Sequence, residues 1–122
     1  MSRVLCRLDE LAVDRCREFR LGEGEWPLHG FVVRTAAGVH AYVNRCAHLG
    51  YRLNYLPDEF LTHDRAHILC SMHGALFDKD SGLCVAGPCF GRSLIALPVR
   101  VESGCVLLAD EVDAARLAAR LE

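Results

Sequence analysis

Cys46-Ala47-His48-Leu49-Gly50 and Cys70-Ser71-Met72-His73-Gly74 are two stretches built on one plan. Each offers one thiol and one imidazole, with a glycine just beyond the histidine. Thiolate is a soft ligand and imidazole a borderline one, so two of each suit a transition metal or an iron–sulfur centre. The glycines fit a metal-binding loop, which has to turn sharply and bring its backbone close to what it holds. Cys46, His48, Cys70 and His73 are therefore the candidate ligands. Residue types alone leave a tetrahedral structural zinc open beside an iron–sulfur centre. The usual two-cysteine, two-histidine finger places both cysteines first and both histidines after; here each loop supplies one of each.

The pattern continues downstream with His73-Gly74-Ala75-Leu76-Phe77-Asp78, then Ser81-Gly82, Gly87-Pro88 and Leu97-Pro98-Val99. Taken with C-x-H and C-x-x-H-G, this order resembles the Rieske iron–sulfur proteins over roughly residues 30 to 109, most of the chain. In that family one iron of a [2Fe-2S] cluster takes two cysteines and the other takes two histidines. The resemblance implies one such cluster per chain, held by Cys46, His48, Cys70 and His73 on loops at about residues 45–52 and 70–91. It implies an all-β fold, an antiparallel β-sandwich or barrel with a small cluster-binding subdomain. The function implied is that of a stand-alone ferredoxin, an electron carrier rather than an enzyme. Its partners would be a ferredoxin reductase and a terminal oxygenase or reductase. Two other readings are a small Rieske subunit of a larger reductase and a zinc-stabilised interaction domain.

The resemblance also bears on redox potential. High-potential members carry an extra cysteine in each ligand loop, joined as a disulfide; the matching positions here are Tyr51 and Met72. Those members also place a serine and a tyrosine where their hydroxyls reach the cluster sulfurs. The matching residues here are Ala75 and Phe77, which donate nothing. Donors to sulfur stabilise the reduced, more negative cluster, so their loss lowers the potential. The expected value lies near the low end of the family span, about −150 mV rather than about +300 mV.

Length and composition agree with a single domain, taken as residues 1–122. At 122 residues, 52% hydrophobic and 25% charged with net charge −2, the chain reads as an ordinary globular protein with no bias toward nucleic acid or an anionic membrane. No apolar run is long enough for a transmembrane helix, and the first residues lack a signal peptide's apolar segment. The expected compartment is the cytoplasm. Seven cysteines, an odd number, make no complete disulfide framework. Outside the ligand set, Cys6, Cys16, Cys84, Cys89 and Cys105 are expected to be small buried hydrophobes.

Short β-rich runs separated by turn residues predict strands at about Val4–Leu8, Cys16–Leu21, Phe31–Arg34, Val39–Asn44, Ala66–Leu69, Leu76–Asp78, Leu83–Ala86, Leu94–Val101 and Cys105–Leu108. Turns are expected at Gly22-Glu23-Gly24, Thr35 to Gly38, Pro57-Asp58-Glu59, Lys79 to Gly82 and Glu102-Ser103-Gly104. Asp110 can cap a short helix over about residues 111–121.

Other residues have plainer readings beside sharper ones. His63-Asp64 and His67 contain the ingredients of a two-histidine, one-carboxylate iron site, but a loop and a strand entry commonly carry exposed polar residues. Cys84 and Cys89 flank Val85-Ala86-Gly87-Pro88 and could form a redox pair; buried thiols are the expectation, since the cytoplasm keeps such pairs reduced. Arg45 and Arg52 flank the first ligand loop and could steer an acidic partner, or be solvated only. His29 and His40 are expected at the surface, and Trp26 in packing.

Overall fold

Phe31-Val32-Val33 and Ala41-Tyr42-Val43 are apolar at every position, and a strand buries such a run only when both of its faces are covered. The computed structural model, which describes residues 3–21, 28–45, 53–54, 58–70, 74–88 and 90–109, shows how this is done. Its strands in chain order are β1 (Arg3–Arg7), β2 (Arg15–Leu21), β3 (Leu28–Thr35), β4 (Gly38–Val43) and β5 (Ile68–Leu69), followed by β6 (Leu76–Phe77), β7 (Cys84–Ala86), β8 (Ala96–Leu97), β9 (Val99–Glu102) and β10 (Cys105–Leu108). They form three antiparallel sheets, ordered β1-β10-β9, β2-β3-β4-β8 and β5-β6-β7.

The four-stranded sheet is the middle layer. Side chains alternate across a strand, so β3 sends Phe31 and Val33 to one core and Val32 to another. On β4, Tyr42 joins the first core while Ala41 and Val43 join the second. The first core adds Leu53, Phe60, Ile68, Cys70, Ala75, Phe77, Cys84 and Leu94, and so reaches the β5-β6-β7 sheet. The second gathers Cys6, Leu11, Leu97, Val106 and Leu108 beneath the β1-β10-β9 sheet. At the centre of the first core Phe31 stacks on Phe60, ring centroids 4.1 Å apart at 12°, and meets Tyr42 at 5.8 Å. Such pairs add about 0.5–1.5 kcal/mol each beyond the area they bury.

The all-β, antiparallel architecture expected from the sequence is present, and the β5-β6-β7 sheet is the smaller unit joined to it. The β3–β4 hairpin closes through Ala36 and Ala37, with Thr35 paired to Gly38. One expected strand is two. Leu94–Val101 breaks at Pro98, so that β8 pairs with β4 in the middle sheet while β9 pairs with β10 in the outer one. Proline has no N–H to give a ladder, and the chain changes sheets there. The strand expected from Ala66 begins at Ile68. The Gly22-Glu23-Gly24 turn, Trp26 and the helix over 111–121 lie outside the described residues. No helix among the described residues is long and apolar enough to cross a membrane.

Candidate metal centre

Cys70 follows β5 directly and is wholly buried. Its N–H donates to the Ala75 carbonyl at 2.9 Å, and its own carbonyl accepts the Gly74 N–H at 2.8 Å. The end of β5 and the entry to β6 are thus tied to each other on either side of the segment that carries His73. Gly74 completes the closure at φ +72, a left-handed conformation suited to glycine.

The first loop is closed at its base by a side chain. Asn44, at the end of β4, accepts the Leu53 N–H on Oδ1 at 2.8 Å, and its Nδ2 donates to Asn54 Oδ1 at 2.9 Å. Asn54 Nδ2 in turn donates to Glu18 Oε1 on β2. Leu53, Cys70 and Ala75 share one apolar core, so the bases of both loops converge on the same interior. Cys46, His48 and His73 lie outside the described residues, as do Tyr51, Met72, Arg52 and Cys89. Two thiols and two imidazoles on segments whose ends share one core, one thiol wholly buried, are a donor set that fits a mixed-ligand [2Fe-2S] cluster.

Gly87, the residue after β7, reaches Ala75, the residue before β6. Gly87 packs on Ala75, where a Cβ would come within 2.8 Å of the Ala75 Cα. The turn after it is held by Phe90 N–H to Gly87 O at 3.3 Å and by Cys84 N–H to Arg92 O at 2.7 Å. Cys84 is buried and its Sγ donates to the Ala86 carbonyl at 3.2 Å. Ala75 and Phe77, the residues that set the expected potential, are both wholly buried, a methyl and a phenyl with no donor to offer.

The β6–β7 turn is tied to the main body by polar contacts across long sequence distances. Lys79, mostly buried, donates to Asp14 Oδ1 at 2.6 Å and to the Arg65 carbonyl at 2.8 Å. Tyr42 donates its hydroxyl to the Lys79 carbonyl at 2.9 Å, and burial, helped by Asp78 and Asp80, raises its pKa. Thr35 donates to Asp80 Oδ1 at 2.6 Å, and His40 Nε2 lies 2.9 Å from the same oxygen. His40 is therefore not the surface residue expected: its ring is half-buried beside Asp80. Within the turn, the Ser81 hydroxyl and backbone N–H both donate to Asp78 Oδ2 at 2.8 Å and hold that carboxyl below the usual range.

The second iron site considered at His63, Asp64 and His67 is not assembled. Asp64 accepts from the Thr62 hydroxyl and, at 3.0 Å, from the Ala66 N–H, an ordinary turn arrangement that lowers its pKa. Among the described residues no three histidines, cysteines or acids come together as a metal site. Cys6, Cys16 and Cys84 are buried as expected, and Cys105 is half-buried. Burial pushes the Cys16 thiol up to about 12, with the Asp58 carboxylate adding to the shift. Sequence reading passed over Asn44, Glu18, Asn54 and Lys79, the residues that hold the loop bases and the turn; their types signal polarity, and nothing local signals their partners.

A family model described as the Rieske [2Fe-2S] domain matches residues 2–106. No curated protein matches the sequence. Among solved structures, the ferredoxin of carbazole 1,9a-dioxygenase from Nocardioides aromaticivorans IC177 is 26% identical, with a TM-score of 0.66 over 89% of this chain and 97% of that one. The terminal oxygenase of carbazole 1,9a-dioxygenase from Novosphingobium sp. KA1 is also 26% identical, with a TM-score of 0.72 over 92% of this chain; the match spans 30% of the oxygenase. The Sphingomonas yanoikuyae B1 ferredoxin shares the fold at 22% identity and a TM-score of 0.66, over 90% of this chain and 99% of that one.

Proposed function

This chain belongs to the Rieske [2Fe-2S] domain family, and from that premise we propose that it is a Rieske-type ferredoxin, a one-electron carrier and not itself an enzyme. The observation that carries the reading is its likeness to a carbazole dioxygenase ferredoxin over 97% of that protein's length. Its partners on this reading are a ferredoxin reductase and a terminal oxygenase or reductase, in the cytoplasm. Residues 1–122 form one Rieske domain.

Cys46 and Cys70 would hold one iron as thiolates, and His48 and His73 the other as neutral imidazoles. When bound, the cluster supplies a reversible one-electron couple. Two neutral ligands in place of two thiolates leave it less negative than an all-cysteine centre and easier to reduce. Ala75 and Phe77 work the other way. Buried and without hydroxyls, they offer the sulfurs no donors, which supports a potential at the low end of the family span, about −150 mV.

A second reading is a Rieske component working inside a larger oxidoreductase. It is favoured by the likeness to 30% of a terminal oxygenase at a TM-score of 0.72. Redox-potentiometric EPR on chain purified without oxygen tests the assignment. A rhombic mixed-ligand signal titrating near −150 mV supports the low-potential carrier. A potential above zero removes the low-potential assignment, and a colourless chain with stoichiometric zinc removes electron transfer. Stopped-flow reduction by a ferredoxin reductase and reoxidation by an oxygenase separates a diffusing carrier from a fixed component.

A further inference from the structure

The first ligand loop is closed by a hydrogen-bond chain whose direction is fixed at both ends. Glu18 ends it with a carboxylate, which accepts only; the Leu53 N–H begins the other end and donates only. Between them each amide has one workable orientation. Asn44 Oδ1 takes the Leu53 N–H, Asn44 Nδ2 gives to Asn54 Oδ1, and Asn54 Nδ2 gives to Glu18. Turning either amide over sets acceptor against acceptor or donor against donor. Leu53 is wholly buried and Asn44 is 7% exposed, so water is poorly placed to replace a lost partner. Both anchors are themselves fixed. The Asn44 N–H donates to the His29 carbonyl at 2.9 Å, and Glu18 lies mid-strand in β2, paired with Phe31, its N–H donating to Asp58 Oδ1 at 2.7 Å.

We propose that the Glu18–Asn54–Asn44 chain positions the loop bearing Cys46 and His48, fixing the separation of the loop's two ends and thereby the grip of that loop on the cluster. The proposal rests on the assignment of Cys46 and His48 as ligands. None of the three residues touches iron or sulfur on this reading; they are positioning residues acting through the loop between residues 44 and 53.

Direction supplies the test. Asn54→Asp can still accept from Asn44, but it sets a carboxylate against Glu18. Adding Glu18→Gln restores the chain, since the amide introduced on β2 then donates to the new carboxylate; Glu18→Gln alone keeps an acceptor for Asn54. The cluster-loaded chain is assayed for loss of visible absorbance in chelator, for EPR line shape and for midpoint potential, with circular dichroism as a check on folding. Asn54→Asp and Asn44→Ala are expected to lose the cluster about 10- to 100-fold faster than wild type, the range for removing partners that orient ligands, with altered rhombic g-values. Glu18→Gln and the E18Q/N54D double variant are expected to stay within about threefold of wild type, with its spectrum. Should Asn44→Ala fail to fold, the N54D and E18Q/N54D pair decides. A cluster-loaded wild type whose cluster lifetime and spectrum survive Asn54→Asp, or a double variant that restores neither, overturns the proposal alone. A wild-type chain with no mixed-ligand signal overturns the ligand assignment and the proposal with it.

Discussion

Gly87 stands directly on Ala75: a Cβ there would lie 2.8 Å from the Ala75 Cα and 3.2 Å from its methyl, and the backbone sits at φ +103. The residue after β7 is therefore packed closely on the residue that leads into β6. Gly87→Ala therefore meets two penalties, a backbone conformation costing about 1–3 kcal/mol and a collision with a buried main chain. Gly91→Ala is the control, since Gly91 has φ +88 and nothing within 4 Å. Thermal unfolding should show G87A less stable than G91A, and cluster retention should fall in G87A. Equal losses in the two variants would mean that the contact with Ala75 is not tight.

Ala75→Ser puts a hydroxyl where the chain has a buried methyl at the end of the ligand loop. If it donates to the cluster, the reduced state gains one charge-assisted hydrogen bond, about 1.5–3 kcal/mol. At 59 mV per tenfold change for a one-electron couple, the midpoint should rise by roughly 60–130 mV. Protein-film voltammetry of wild type and A75S reads this directly. An unmoved potential would show that residue 75 does not reach the cluster.

The thiols outside the ligand set should separate by burial. Cys16 is held up to about 12, by burial first and the Asp58 carboxylate second. It therefore stays a thiol at pH 8 and should resist iodoacetamide in the folded chain, while half-buried Cys105 labels. The same shift destabilises the fold in alkali. The unfolded chain releases this proton near the ordinary thiol value of about 8.5 and the folded chain keeps it, so stability falls as pH rises from there toward about 12. Mass spectrometry of labelled peptides gives the first result and urea titrations at rising pH the second.

Asp78 carries the opposite linkage. Its pKa is depressed, by the Ser81 hydroxyl first, with the Ser81 and Asp80 backbone N–H groups adding to it against the cost of burial. Its contribution is complete above the ordinary carboxylate value of about 3.9 and is lost as pH falls below that through the folded value. Ser81→Ala removes the largest cause, so acid unfolding should begin at higher pH in S81A. An unchanged acid midpoint would mean that the Ser81 backbone N–H alone suffices.

Local features were legible. The β3–β4 and β9–β10 hairpins and the turn before β7 are set by residues adjacent in sequence, Thr35 to Gly38, Glu102 to Gly104 and Lys79 to Gly82, and all three are present. Leu94–Val101 misled because β-rich composition continues on both sides of Pro98, while its two halves serve different sheets. Alternation assigned Phe31 and Val32 to opposite faces without saying what covers either. His40 looked like a surface residue because Asp80, its partner, lies forty positions away in the chain.

Residue type alone gives the candidate donors, two thiols and two imidazoles in a set order, and the absence of hydroxyls at Ala75 and Phe77. What holds the loops is a matter of the folded chain. Asn54 meets Glu18 across 36 positions, and Lys79 meets Asp14 across 65. A hydrogen bond needs its partners within about 3 Å in the right orientation, and between groups so distant in sequence only the folded path of the chain sets that distance.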